Sequence, residues 1–121
     1  MEDAGLGADI GTLIIVENFV EADDLRDAFE RFHLGPVVHI RSVEHAQAIL
    51  AETRHRPQLV VLGVTPDADT AQDLLMEQHL RGARILVLNG PPPEVEPLGI
   101  AHLSRPYAED DLNRAIRQLM S

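Results

Sequence analysis

Few side chains in this 121-residue chain have the chemical type and spacing that catalysis or metal binding requires. It contains no cysteine, which excludes a disulfide scaffold, a thiolate metal site and a cysteine nucleophile. Serine is too sparse to indicate a nucleophile. The six histidines lack a metal-ligand spacing, and we expect most at the surface: His33, His39, His45, His55, His79 and His102. With no recognisable nucleophile–base pair or metal set, the sequence predicts neither an enzyme nor a bound cofactor.

The charge of the chain limits its partners. Twenty acidic residues against ten basic ones give a formal net charge of −10, which repels nucleic acid phosphates and anionic lipid. Direct nucleic acid binding is therefore not expected. No apolar stretch approaches the roughly 20 residues that a membrane-spanning helix needs. Nothing near Met1 combines basic residues with an apolar run of signal-peptide length, so we expect a cytoplasmic location.

Short apolar segments alternate along the chain with segments of helical periodicity. Strands are predicted at 12–16, 37–40, 59–62, 85–88 and 101–104. Helices are predicted after the first strand, after the capping residue Ser42, over about 70–81 and over about 108–120. Because parallel strands need crossover connections, this alternation indicates a parallel sheet with helices on both faces.

Two segments depart from this alternation. Residues 1–10 are small, acidic and glycine-containing, and they are predicted to form a flexible N-terminal segment before one domain over 11–121. The connection from Asn89 to Ile100 carries four prolines, which cannot make a normal helix: Pro91, Pro92, Pro93 and Pro97.

Together, the element order and several motifs resemble the receiver domains of bacterial response regulators over about residues 12–120. The most specific match is Ser104-Arg105-Pro106-Tyr107, because the family ends its fifth strand with a lysine, a proline and an aromatic residue. The resemblance implies a cis peptide at Arg105-Pro106. It also implies an α/β, flavodoxin-like (CheY-like) fold: a doubly wound five-stranded parallel sheet of order 2-1-3-4-5. The prolines predict that its fourth helix is shortened or missing.

The chemical positions of that family are altered in this chain. The acidic pair that binds magnesium falls on Glu17 and Asn18, and the phosphoacceptor aspartate falls on Gly63. The hydroxyl position falls on Asn89, and the lysine position falls on Arg105. Glycine has no nucleophile, so its presence removes phosphoryl transfer to this position. A pocket of about −3 in the family would carry about −1 here, and no metal is expected. The resemblance thus implies a vestigial site.

Two questions about this site stay open in the sequence. Glu17 and Arg105 should lie close together at the carboxyl edge of the sheet. We favour an ion pair in which Arg105 closes the vacant site, and the alternative is an anion or ligand pocket. Asp67 and Asp69 could substitute for the lost acceptor, but we interpret them as loop and helix-capping acids.

The sequence is compatible with three functions. The leading hypothesis is a phosphorylation-independent receiver in two-component signal transduction or transcription regulation, which contacts another protein or forms a homodimer. In the family, phosphorylation reshapes the surface of the fourth helix, fifth strand and last helix, and the proline-rich connection would rebuild that surface. The alternative is a small-molecule sensor, because open α/β sheets bind ligands beyond the carboxyl ends of their strands and Gly63 leaves room there. An enzyme is the weakest hypothesis.

Overall fold

The computed structural model describes residues 10–52, 57–63, 68–88 and 99–120. In this part of the chain, five parallel strands form one sheet of order β2-β1-β3-β4-β5. The strands are β1 (Thr12–Ile15), β2 (Val37–Ile40), β3 (Leu59–Leu62), β4 (Arg84–Leu88) and β5 (Ile100–Leu103). The predicted parallel sheet and its strand order are therefore confirmed.

The central strands explain the continuous apolar runs in the sequence. β1 and β3 are buried along their whole length, because helices cover both faces of the sheet. Edge strand β2 is less buried, with only Ile40 fully inside. The one polar residue of β1, Thr12, is buried and donates its hydroxyl to the Leu34 carbonyl oxygen at 2.8 Å. This bond satisfies the hydroxyl inside the core.

Four helices lie within the described residues: α1 (Phe19–Arg31), α2 (Val43–Glu52), α3 (Ala68–Leu80) and α4 (Glu109–Met120). The bounds predicted for α3 and α4 agree with these within two residues. The Ser42 hydroxyl accepts a hydrogen bond from the His45 amide at 3.1 Å, which confirms the predicted cap of α2. Gly82 follows α3 with a φ of 98°, which confirms it as the residue that ends this helix.

The helices form two layers, and successive residues of each strand point to opposite layers. In β1, Ile14 packs into the core beneath α1 and α4. Its neighbours Leu13 and Ile15 pack into the second core, beneath α2 and α3. The sheet therefore lies between two packed cores, one on each face, and this packing positions the ends of β1, β3 and β5.

Several sequence predictions fall outside the described residues. The prediction that the fourth helix is shortened or missing concerns residues 89–98, and the predicted flexible segment concerns mainly residues 1–9. Ile10, the last residue of that segment, is buried in the core. Among the described residues, no helix combines the length and apolar character that a membrane crossing needs.

Candidate functional site at the carboxyl edge of the sheet

An open cleft of about 700 Å³ lies where the carboxyl ends of β1, β3 and β5 meet. Four of the five residues predicted from the sequence line it: Glu17, Asn18, Gly63 and Arg105. The fifth, Asn89, lies outside the described residues. Parallel strands end at the same edge, so segments that are distant in sequence converge there.

Arg105 makes a bidentate ion pair with Glu21, and both residues line this cleft. Its Nε donates to Glu21 Oε2 at 2.8 Å, and its Nη2 donates to Glu21 Oε1 at 2.7 Å. Nη2 also donates to the carbonyl oxygen of Gly63 at 2.9 Å. Both side chains are mostly buried, with exposed fractions of 29% for Arg105 and 17% for Glu21. Such paired, charge-assisted bonds fix the guanidinium in position as well as neutralising it.

The predicted partner of Arg105 was wrong: the arginine pairs with Glu21, and Glu17 is exposed. The reason is the start of α1. Asn18 is the N-cap, and its Oδ1 accepts from the amides of Val20 at 2.8 Å and Glu21 at 3.0 Å. Glu21 therefore lies in the first helical turn. Its side chain tilts toward the helix N-terminus and so toward the cleft. Glu17 precedes the cap; it borders the cleft but is exposed, and the guanidinium bonds go to Glu21.

Tyr107 completes a three-residue cluster with Glu21 and Arg105. Its hydroxyl donates to Glu21 Oε2 at 2.8 Å, so the two carboxylate oxygens together accept three hydrogen bonds. Burial alone would raise the pKa of Glu21, but the bonds from Arg105 and Tyr107 outweigh it and lower that pKa. The bond to Glu21 raises the pKa of Arg105. Burial and the same carboxylate raise the pKa of Tyr107. The cluster is thus a stable ion pair with a neutral phenol at ordinary pH.

Gly63 is what allows the guanidinium to reach this position. A Cβ atom added to Gly63 would lie 2.5 Å from Arg105 Nη2 and 2.7 Å from Val16 Cγ1. It would also lie 3.0 Å from Leu88 Cδ1. Any side chain at this position would therefore require Arg105 to move. The space beyond β3 is occupied by a cation of the chain itself.

Among the described residues of the cleft, no cluster of carboxylates is arranged to bind a hard divalent cation. Glu21 already accepts three hydrogen bonds from Arg105 and Tyr107, and the other acids of the cleft, Glu17 and Asp24, are exposed. Across the described ranges, no group of three or more histidine, aspartate or glutamate residues could hold a metal ion. Asp69 lies in the first turn of α3, and Asp67 lies outside the described residues. The geometry instead supports an ion pair within the chain, in which Arg105 and Glu21 neutralise each other.

Other sequence predictions have mixed outcomes. The Arg105-Pro106 peptide is cis, as predicted. His33 and His45 are exposed, but the other described histidines are half-buried: His39, His79 and His102. His39 shows why, because its Nε2 lies 2.8 Å from the Val16 carbonyl oxygen and holds the ring against the sheet.

Comparison with known proteins shows which solved structures share this fold. No protein-family profile and no curated protein sequence matches the chain. Several solved structures do match the chain. The signal receiver domain of a signal transduction histidine kinase from Syntrophus aciditrophicus has a TM-score of 0.67 at 17% identity, covering 90% of this chain and 89% of that one. A two component transcriptional regulator AraC from Clostridium phytofermentans ISDg has a TM-score of 0.67 at 13% identity, covering 92% and 91%.

A third similar structure is the solution structure of SdrG from Sphingomonas melonis Fr1. It has a TM-score of 0.64 at 18% identity and covers 97% of this chain and 100% of its own. At these identities the likeness concerns the fold. The chain has the fold of response-regulator receiver domains, with an arginine–glutamate pair at the edge where its cleft opens.

Proposed function

We propose that this chain is a pseudo-receiver, a cytoplasmic domain that works in two-component-type signal transduction or transcription regulation without being phosphorylated. One observation carries the proposal: the Arg105 guanidinium fills the space beyond Gly63 and is held there by Glu21. In this proposal the domain acts by contacting protein partners and is not an enzyme.

The chemistry of phosphoryl transfer supports the proposal. An acceptor needs a nucleophilic oxygen, and the metal that assists it needs several oxygen ligands. Gly63 supplies no side chain, and a guanidinium stays protonated and cannot act as a nucleophile. The Arg105 guanidinium also engages both carboxylate oxygens of Glu21, so this carboxylate is not free to bind a divalent cation.

The cluster of Glu21, Arg105 and Tyr107 favours a single conformation, whereas a switch alternates between two conformations. Glu21 lies on α1, whereas Arg105 and Tyr107 lie in the connection between β5 and α4. The ion pair therefore ties two surface elements together in one arrangement. A domain locked in this way would present a constant surface to its partners.

The sensor hypothesis depended on space left by Gly63. That space is taken by Arg105, whose donors are directed at Glu21 and at the Gly63 carbonyl oxygen. The remaining cleft is open and bordered by the exposed acids Glu17 and Asp24. We therefore favour the protein-contact function over a buried small-molecule site.

Nuclear magnetic resonance with a phosphoryl mimic tests the proposal. Adding Mg²⁺ and beryllofluoride should leave the amide resonances of Gly63 and Arg105 unmoved. SdrG serves as the positive control, since it has been solved in a BeF3-activated conformation. Saturable shifts of the Gly63 and Arg105 resonances would show that the cleft still accepts a phosphoryl mimic, and the proposal would fail.

A further inference from the structure

Helix α3 exposes two large apolar side chains that have no role in the core. Met76 is 57% exposed and Leu80 is 78% exposed. They lie four residues apart, so they are neighbours on one face of the helix. Leu74 and Gln78, on the opposite side, are buried. Exposed apolar neighbours of this size on a helix mark a candidate contact surface.

A charged stripe runs beside this apolar pair. Arg81 Nη2 lies 3.2 Å from Glu77 Oε2, and both side chains are largely exposed. Arg81 directly follows the last residue of α3, and its amide still bonds to the Glu77 carbonyl oxygen at 3.1 Å. Glu77 and Arg81 therefore continue the helical spacing one position after Met76 and Leu80. We call these four residues the α3 stripe.

The α3 stripe is self-complementary when a second copy packs antiparallel to it. The apolar pair is centred on position 78 and the charged pair on position 79 of the same helix. A single two-fold axis near these positions would set Met76 against Leu80 of the second copy. The same axis would set Glu77 against Arg81 of that copy. The two centres differ by about 1.5 Å along the helix, which side chains of this length can span.

We propose that the domain forms a symmetric homodimer through the α3 stripe. Closed homodimers use the same surface patch on both subunits, and the order of apolar and charged residues on α3 satisfies that condition. The proposal deepens the proposed function, on which it rests, by naming a second copy of the chain as a partner. A domain with a constant surface can then act through permanent self-association.

Sedimentation equilibrium over a range of concentrations tests the apolar half of the stripe. The wild-type chain should show a concentration-dependent monomer–dimer equilibrium. Leu80→Glu should be monomeric, because it places a carboxylate at the centre of the interface. Val20→Glu is the matched control, since Val20 is an equally exposed apolar residue on α1 (70%) and should leave the dimer intact. A monomeric wild type, or a dimer that survives Leu80→Glu, would overturn the proposal.

Charge reversal tests the pairing itself. Glu77→Arg would set like charges against each other across the axis, as would Arg81→Glu, and each should weaken self-association by about tenfold. Mixing the two variants should restore dimers, since every charge then faces its opposite in the mixed pair. Loss of the pair within one helix cannot produce this rescue, because both variants lack that pair.

Arg114→Glu on α4 is the control for charge reversal, because Arg114 is exposed and lies 3.6 Å from Asp111 on the same helix. Association that responds to Arg114→Glu but not to the α3 variants would overturn the proposal. So would a mixture of the α3 variants that stays monomeric. The beryllofluoride experiment probes the cleft and not α3. Failure of the dimer proposal and failure of the pseudo-receiver proposal can therefore be told apart.

Discussion

Replacing Glu21 with glutamine should destabilise the fold more than the same change at Glu17. Glutamine keeps the shape of the side chain but offers one acceptor oxygen and an NH2 group, so at least one donor of Arg105 or Tyr107 loses its acceptor. Exposed ion pairs contribute about 0–1 kcal/mol, and breaking a fully buried pair costs about 3–5 kcal/mol. Arg105 and Glu21 lie between these limits, with 29% and 17% of their side chains exposed. We therefore expect a loss of about 2 kcal/mol in the free energy of unfolding.

Urea denaturation at neutral pH measures this loss, and thermal unfolding should show a fall of about 8 °C in Tm. Glu17→Gln is the matched control, because Glu17 is exposed and should change the free energy of unfolding by less than about 0.5 kcal/mol. Equal effects of the two substitutions would refute the assignment of Glu21 as the partner of Arg105.

Three further predictions follow from the same cluster. Since the folded pKa of Glu21 is below its ordinary value of 4.5, the pair's stabilisation is complete above that pH and is lost as the pH falls through the folded pKa. Urea midpoints should therefore fall more steeply with acid for the wild type than for Glu21→Gln. Gly63→Ala should cost about 2 kcal/mol of unfolding free energy, and the cost should fall by about 1 kcal/mol in an Arg105→Ala background; equal costs would contradict the close approach. Tyr107 is the chain's one tyrosine, so ultraviolet titration reads it alone. Its pKa should lie above the ordinary 10.0 and drop in Glu21→Gln.

Much of the fold could be predicted, because strands that are buried on both faces of the sheet show up in the sequence as short apolar runs. β3 is a continuous apolar run and β1 is apolar after Thr12, and prediction placed both strands within one residue. The order of the strands in the sheet could not be predicted in this way, because an apolar run does not show which strands lie beside it. It followed from the resemblance carried by Ser104-Arg105-Pro106-Tyr107. Local motifs such as the Ser42 cap could also be predicted, because they depend on a few adjacent residues.

The partner of Arg105 could not be predicted, because the start of α1 is hidden in the sequence. Phe19 and Val20 are apolar but exposed, so the first turn of the helix does not follow the amphipathic pattern. Periodicity becomes visible only from Leu25 onward. The available signal was Asn18, a preferred N-cap residue, which would have placed Glu21 in the first turn.

The exposed side of α3 was also missed, for a related reason. Helical periodicity indicates which face of a helix is buried, and Leu74 is indeed buried. The same periodicity does not say whether Met76 and Leu80 reach the core, since the apolar residues of this segment fall on more than one side of the helix: Ala68, Ala71, Leu74, Leu75, Met76 and Leu80. Only the packing of the helix on the sheet shows that these two side chains point outward.

Our central proposal is that no phosphoryl group is accepted at the carboxyl edge of β3, because Gly63 offers no nucleophile and the Arg105 guanidinium occupies the space beyond it. Incubation of the wild-type chain with acetyl phosphate and Mg²⁺, followed by intact mass spectrometry, tests this most directly. We expect the unmodified mass alone, under conditions in which a receiver domain that retains its aspartate is modified in parallel. A phosphoryl adduct on the wild-type chain would contradict the account.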